Sequence, residues 1–196
     1  NTLKAEKRSM DVKAKKLRRE GFVTGNLFGR EIEGSIPLKF TKKEIEVLLK
    51  NNNKGSQVML ELDGKTYDAL IKEVDYNPLA HTVEEVDFQA LVSNEMVHST
   101  AEIILENEEK VMSGVLQDEL KEVAYKALPA DLVDKIKVDV AGMKIGDTLR
   151  VKDLEIAKNK NIHITTDLEA VIATVTPVHN VVPETETEAE ETAEEK

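Results

Sequence analysis

Two runs of alternating apolar residues meet at Asp63–Gly64. Val58, Leu60 and Leu62 alternate on one side, and Tyr67, Ala69 and Ile71 on the other. Period two places successive side chains on opposite faces of a strand, so each run reads as half-buried β. Asp-Gly supplies the two residues that tolerate the positive φ angles of a tight hairpin turn. A two-stranded hairpin is marginal alone in water, so the chain must supply further strands to cover its apolar face.

Those strands are legible on both sides. Gly21, Gly25, Gly29 and Gly34 punctuate apolar residues between 22 and 40, which predicts short strands joined by turns. Thr41 with Glu44 forms a capping-box pattern, and Ile45, Leu48 and Leu49 share one helical face. That helix is expected to end at Asn51–Asn53. Asn77–Pro78 makes a turn into a strand through Val86, Phe88 and Ala90. Further on, Ile103–Leu105, Val115–Leu116, Ile136–Val140, Leu149–Val151, Ile162–Ile164 and Val171–Val175 read as short strands, with a turn or brief helical turn at Pro129–Asp131 and a turn at Gly146–Asp147. Many short strands with frequent turns predict a sandwich or barrel-like domain. The fold class expected is mainly β with minor α. A first β unit with one short helix covers residues 1–93, and a second β-rich unit covers 94–180.

Aromatic residues make up 4% of the chain against 40% hydrophobic residues, so Val, Ile and Leu must build the core. Cysteine is absent, which excludes disulfides, thiolate metal sites and thiol nucleophiles. No apolar stretch approaches the ~20 residues that span a bilayer, and the basic start lacks an apolar signal-peptide centre. A cytoplasmic protein with no membrane partner is expected. No phosphate-binding glycine loop or nucleophile elbow occurs. The four histidines are scattered, and His81 near Glu84 and Glu85 reads as a solvated loop residue. The expectation is a protein that is not an enzyme, with no cofactor, metal or small-molecule substrate.

Charge is unevenly placed. The chain carries −11, yet residues 1–30 hold nine Lys/Arg and three Asp/Glu. Five cations fall within seven residues: Lys13, Lys15, Lys16, Arg18 and Arg19. A local basic patch on an acidic protein is the electrostatic footprint of polyanion binding, with Phe22 and Phe28 as nearby stacking faces. The plain reading of such a run is a solvated face or a charge-guarded strand edge. Residues 181–196 hold seven Glu and one Lys with little apolar content, so a disordered acidic tail is expected.

The stretch Lys15-Lys16-Leu17-Arg18-Arg19-Glu20-Gly21, followed by Leu27-Phe28-Gly29, resembles the start of a bacterial large-subunit ribosomal protein family. This is the family that binds 5S ribosomal RNA and includes the general stress protein CTC. Asn77-Pro78 followed by Glu85-Val86-Asp87-Phe88 is similar to a second family motif. Gly146-Asp147 leading to Val151-Lys152-Asp153-Leu154 resembles the β-rich second domain of its longer members. The likeness runs from about Leu3 to Pro177. It implies an RNA-binding barrel-like domain followed by a CTC-type domain, with 5S rRNA and large-subunit proteins as partners. It implies that Arg8, Lys15, Lys16, Arg18 and Arg19 face RNA backbone, that Phe28 holds the place of a family Tyr, and that Asp87 hydrogen-bonds base or sugar donors.

Three positions depart from the family pattern. Thr24 stands for Pro, Phe28 for Tyr and Glu85 for His. Glu85 puts an anion where the family has a donor, and like charge at a recognition site costs affinity. Weaker 5S rRNA binding than in typical members, or binding only within an assembled ribosome, is therefore expected. The alternative is a stress-linked paralogue acting through protein contacts of the second unit or the tail.

Overall fold

The computed structural model describes residues 2–111 and 114–177. The acidic tail expected over 181–196 lies outside the described residues. The first unit comprises β1 (Thr2–Lys7), α1 (Ala14–Arg19), β2 (Phe22–Phe28), β3 (Ser35–Thr41), α2 (Lys42–Asn51), β4 (Gln57–Leu62), β5 (Lys65–Asn77) and β6 (Thr82–Ala90). The strands close into a barrel in the order β1-β3-β2-β6-β5-β4. Parallel pairing of β1 with β4 completes the ring. Closure leaves no unpaired sheet edge, which an isolated hairpin would expose.

The Asp63–Gly64 hairpin forms, with Leu62 of β4 opposite Lys65 of β5. Asp63 and Gly64 both have positive φ, 51° and 77°, as a two-residue turn of that hand demands. Val58, Leu60, Leu62, Ala69 and Ile71 point into the barrel, where they meet Leu27, Leu38 and the Phe40–Phe88 pair. Those two rings lie 5.4 Å apart between centroids. The capping box at Thr41 and Glu44 forms, and Ile45 and Leu48 of α2 join the same core.

Leu70 departs from the alternation. Its position in β5 is outward-facing, yet it is fully buried. It lines a cleft together with Ser99 and Thr100 of the second unit, so the neighbouring unit covers it. No period within one strand can reveal burial by another part of the chain.

The second unit holds β7 (Val97–Glu106), β8 (Val115–Asp118), β9 (Glu122–Ala127), β10 (Lys135–Asp139), β11 (Thr148–Arg150), β12 (His163–Ile164) and β13 (Val171–Thr176). They form a four-stranded sheet, β10-β7-β9-β12, and a three-stranded sheet, β11-β13-β8. Both sheets feed one core that includes Ala101, Ile103, Val123, Tyr125, Ile172 and Ala173.

Tyr125 is the largest fully buried side chain. Its hydroxyl donates to the Val133 carbonyl at 2.6 Å and accepts from the Val133 N–H at 2.7 Å. Burial pushes its pKa above the ordinary tyrosine value, against the opposing pull of the Val133 hydrogen bond. A group whose folded pKa is raised contributes stability that is present below its unfolded pKa of about 10 and is lost as pH rises through the folded value. Tyr125→Phe is expected to cost about 2 kcal/mol, because Val133 keeps two polar groups without a partner. The variant should also lose the part of the alkaline destabilisation due to this hydroxyl. Urea melts of both proteins at pH 7 and above pH 10 check this.

Hydrogen bonds also join the units. Ser56 donates to Asp134 at 3.1 Å, and Asn53 donates to Glu102. Gly55, with φ of 90°, sits where a Cβ would fall 1.9 Å from the Thr100 carbonyl oxygen. Only glycine allows this approach of the two backbones.

Candidate nucleic-acid interface

The basic run folds as α1, a helix of six residues. A helix this short does not hold itself together in water, so tertiary contacts must fix it. Two residues do so. Leu17 is buried. Arg18 turns back onto the barrel, where its Nε donates to the Glu84 carbonyl at 3.1 Å. The same guanidinium reaches the Glu84 carboxylate at 3.1 Å and the Glu85 carboxylate at 3.1 Å. It also lies 3.4 Å from the Thr24 hydroxyl. The helix ends at Gly21, whose φ is 88°, in keeping with glycine's role after a last helical turn.

Arg18 and Leu17 therefore face inward, and Lys13, Lys15, Lys16 and Arg19 are exposed. Among these four, Lys16 touches a carboxylate, Glu20, at 3.8 Å across one helical turn. Exposed pairs of this kind hold less than about 1 kcal/mol and are easily exchanged for another anion. Chain folding thus leaves most of the run's positive charge directed at solvent.

Beside α1 lies the outer face of β2 and β6, which pair in parallel with Thr24 opposite Glu85. Alternation sends Val86 and Phe88 into the barrel and Glu85 and Asp87 outward. Asp87 Oδ1 accepts from the Asn26 N–H and from the Asn26 side-chain amide, both at 3.0 Å. The same amide reaches Glu85 at 3.4 Å. Thr24, Asn26, Glu85, Asp87 and Arg18 thus form one network on the barrel wall. Its anionic side continues into a recess of 250 Å³ lined by Glu73, Asp75, Glu85 and Asp87. Among the described residues no group of three or more His, Cys, Asp or Glu has metal-holding geometry.

The remaining site residues predicted from sequence lie apart from this network. Arg8 is half-buried and donates to the Val12 carbonyl at 3.1 Å, which ties the loop leading into α1. Phe28 is half-buried at the far end of β2, opposite Gln89 of β6. Phe22, the other aromatic beside the run, carries the Lys39 ammonium 5.1 Å from its ring centre. Asn26 and Glu84 were not legible as site residues. Asn26 does stand at an outward position between Thr24 and Phe28, an unusual place for a strand-poor residue. Nothing in the sequence linked Glu84 to Arg18, because the two lie 66 residues apart.

The arrangement offers two kinds of contact. Exposed ammonium and guanidinium groups on α1 can neutralise phosphates. Outward carboxylate oxygens on β6 can accept from base amino groups or a ribose 2′-hydroxyl.

Residues 3–88 match the model of the Ribosomal L25p family, and residues 96–179 match the C-terminal domain of ribosomal protein TL5. The large ribosomal subunit protein bL25 of Carboxydothermus hydrogenoformans is 32% identical over 190 residues, covering 92% of this chain and 94% of that protein. The protein of the same name from Dictyoglomus thermophilum is 30% identical over 187 residues, covering 91% and 89%. The match to both family models in order, and to these relatives over nearly their whole length, shows that the chain belongs to the bL25 ribosomal protein family in its two-domain form.

Proposed function

We propose that this chain is a structural constituent of the large ribosomal subunit that binds 5S rRNA through the barrel. It is not an enzyme, as its relatives are ribosomal proteins. The observation that carries the RNA reading is α1. Lys15, Lys16 and Arg19 are exposed on a helix that Leu17 and Arg18 fix to the barrel, next to outward acceptors on β6. A cationic surface ordered before its partner arrives forgoes the ordering cost that a disordered arm would incur on binding. In this reading Lys15, Lys16 and Arg19 contact phosphates, Arg8 braces the loop before them, and Phe28 offers a stacking face. Arg18 acts chiefly as a positioning residue, since the chain's own carboxylates occupy its guanidinium. Asp87, oriented by Asn26, accepts from a base or sugar donor. The working place is the ribosome in the cytoplasm.

Co-sedimentation with large ribosomal subunits tests the proposal directly. The chain is expected in the low-salt ribosome fraction and to be released by a high-salt wash, since six to ten phosphate contacts lose about 10³ to 10⁵ in affinity between 50 and 200 mM salt. Absence from the low-salt fraction would refute it.

Glu85 sets a second expectation. Its carboxylate takes up one side of Arg18 and adds negative charge to a recess that already holds three other carboxylates. Glu85→His is expected to tighten 5S rRNA binding about tenfold at 50 mM salt, by removing a like-charge contact of about 1.4 kcal/mol. Glu84 still holds Arg18 in this variant, so α1 stays in place. Filter binding of both proteins at one fixed salt concentration decides it, and equal affinities would show that Glu85 does not oppose the RNA.

A further inference from the structure

A row of basic side chains crosses the second unit. In the four-stranded sheet His98 of β7 lies directly opposite Lys126 of β9, and Lys126 lies directly opposite His163 of β12. Cross-strand partners share a face, so these three side chains stand side by side on the solvent side of the sheet, opposite the core that holds Tyr125. The first unit extends the row. The Lys72 ammonium of β5 donates to the His98 carbonyl at 2.8 Å, across a cleft of 270 Å³ between the units.

The fixed charge of the row lies on the Lys72 and Lys126 ammoniums, and the two imidazoles add N–H donors. His98 is held below its ordinary pKa by desolvation and then by the Lys126 and Lys72 ammoniums, which favours its neutral form. Lys72 is lowered by burial and then by Lys54. Nearby carboxylates do not pair with the two ammoniums. Glu122 pairs with Lys54 at 3.8 Å, and Glu73 lies at the cleft wall. Neither Lys72 nor Lys126 has an ion pair among the described residues.

Lys72 and Lys126 thus keep their charge without a carboxylate partner on a chain of net charge −11, where an anion from outside can take it up. The row spans two interstrand spacings, about 10 Å, too long for a single small anion and suited to a run of phosphates. We propose that Lys72, His98, Lys126 and His163 form a second phosphate track, by which the second unit binds the backbone of ribosomal RNA. This rests on the reading of the chain as an rRNA-binding ribosomal protein, and adds a contact that α1 does not make.

The chain has no cysteine, so a single introduced thiol can carry a benzophenone label at a chosen place. His163→Cys and Lys15→Cys, each labelled and assembled into large subunits lacking the protein, report separately on the row and on α1. The expected result is light-induced attachment to RNA from both positions. Attachment from position 15 with only protein attachment, or none, from position 163 overturns the second track and leaves the barrel reading standing. Attachment to RNA from 163 alone supports the track and removes the role given to α1. Attachment to RNA from neither position refutes both.

Lys126→Gln gives an independent measure. It should leave the melting temperature nearly unchanged, because Lys126 holds no ion pair among the described residues. It should also lower the slope of log affinity against log salt for deproteinised large-subunit rRNA by about one. An unchanged slope would overturn the track.

Discussion

Replacing Lys15, Lys16 and Arg19 together by Gln is expected to weaken 5S rRNA binding about a hundredfold at 0.1 M salt. Each phosphate contact contributes about 0.7 to 0.9 to the slope of log affinity against log salt. Three lost contacts lower that slope by roughly two to three, and the affinity loss at 0.1 M follows from the same relation. Stability should hardly change, because all three side chains are exposed and the one carboxylate pair among them, Lys16 with Glu20, is a surface contact. Filter binding across a salt series, beside a urea melt, separates the two effects. A normal melt with an unchanged slope would remove α1 from the interface. The same changes at Lys43, Lys50 and Lys65 serve as the charge-matched control, since all three are exposed and none has an ion pair among the described residues.

Gly25→Ala should have the largest effect on the fold. Gly25 sits in β2 with its backbone pressed against β6. A Cβ there would fall 2.0 Å from the Val86 carbonyl oxygen and 3.3 Å from the Phe40 ring. The obstacle is backbone, which cannot swing aside as a flexible side chain would, so β2 and β6 must part. Overpacking of a well-filled core typically costs up to about 3 kcal/mol, and this site belongs at the upper end. The same displacement would separate Asn26 from Asp87 and Thr24 from Glu85, so RNA binding should fall even where the barrel survives. Gly142→Ala is the control. Its Cβ meets nothing within 4 Å, and a change within about 0.5 kcal/mol is expected there. Urea midpoints of both variants check the contrast. Equal midpoints would mean that the barrel yields at Gly25 more readily than its packing implies.

The local elements of the barrel were legible because their causes are local. The Asp63–Gly64 hairpin follows from period two and from a turn that needs positive φ. The helix α2 follows from a capping box and one apolar face. β1 and α1 were less so. Thr2–Lys7 offers just two inward apolar residues, Leu3 and Ala5. Ala14–Arg19 is too short for helical periodicity to register. Among site residues, the cationic run stood out by composition alone, whereas its division into inward Arg18 and outward Lys15, Lys16 and Arg19 did not.

By itself the sequence determined a β protein in two parts, a strong hairpin, one capped helix and a basic segment at odds with the net charge. It also carried the family likeness. The tertiary structure decided which cations remain available. Arg18 meets Glu84 and Glu85 only because β2 and β6 run side by side, which brings together residues more than sixty positions apart. Lys72, His98, Lys126 and His163 align for the same reason, through strand pairing and the junction at Gly55. Charge can be counted along a chain, but its direction depends on which strands become neighbours, and that follows from closing a barrel and packing two sheets around buried apolar side chains.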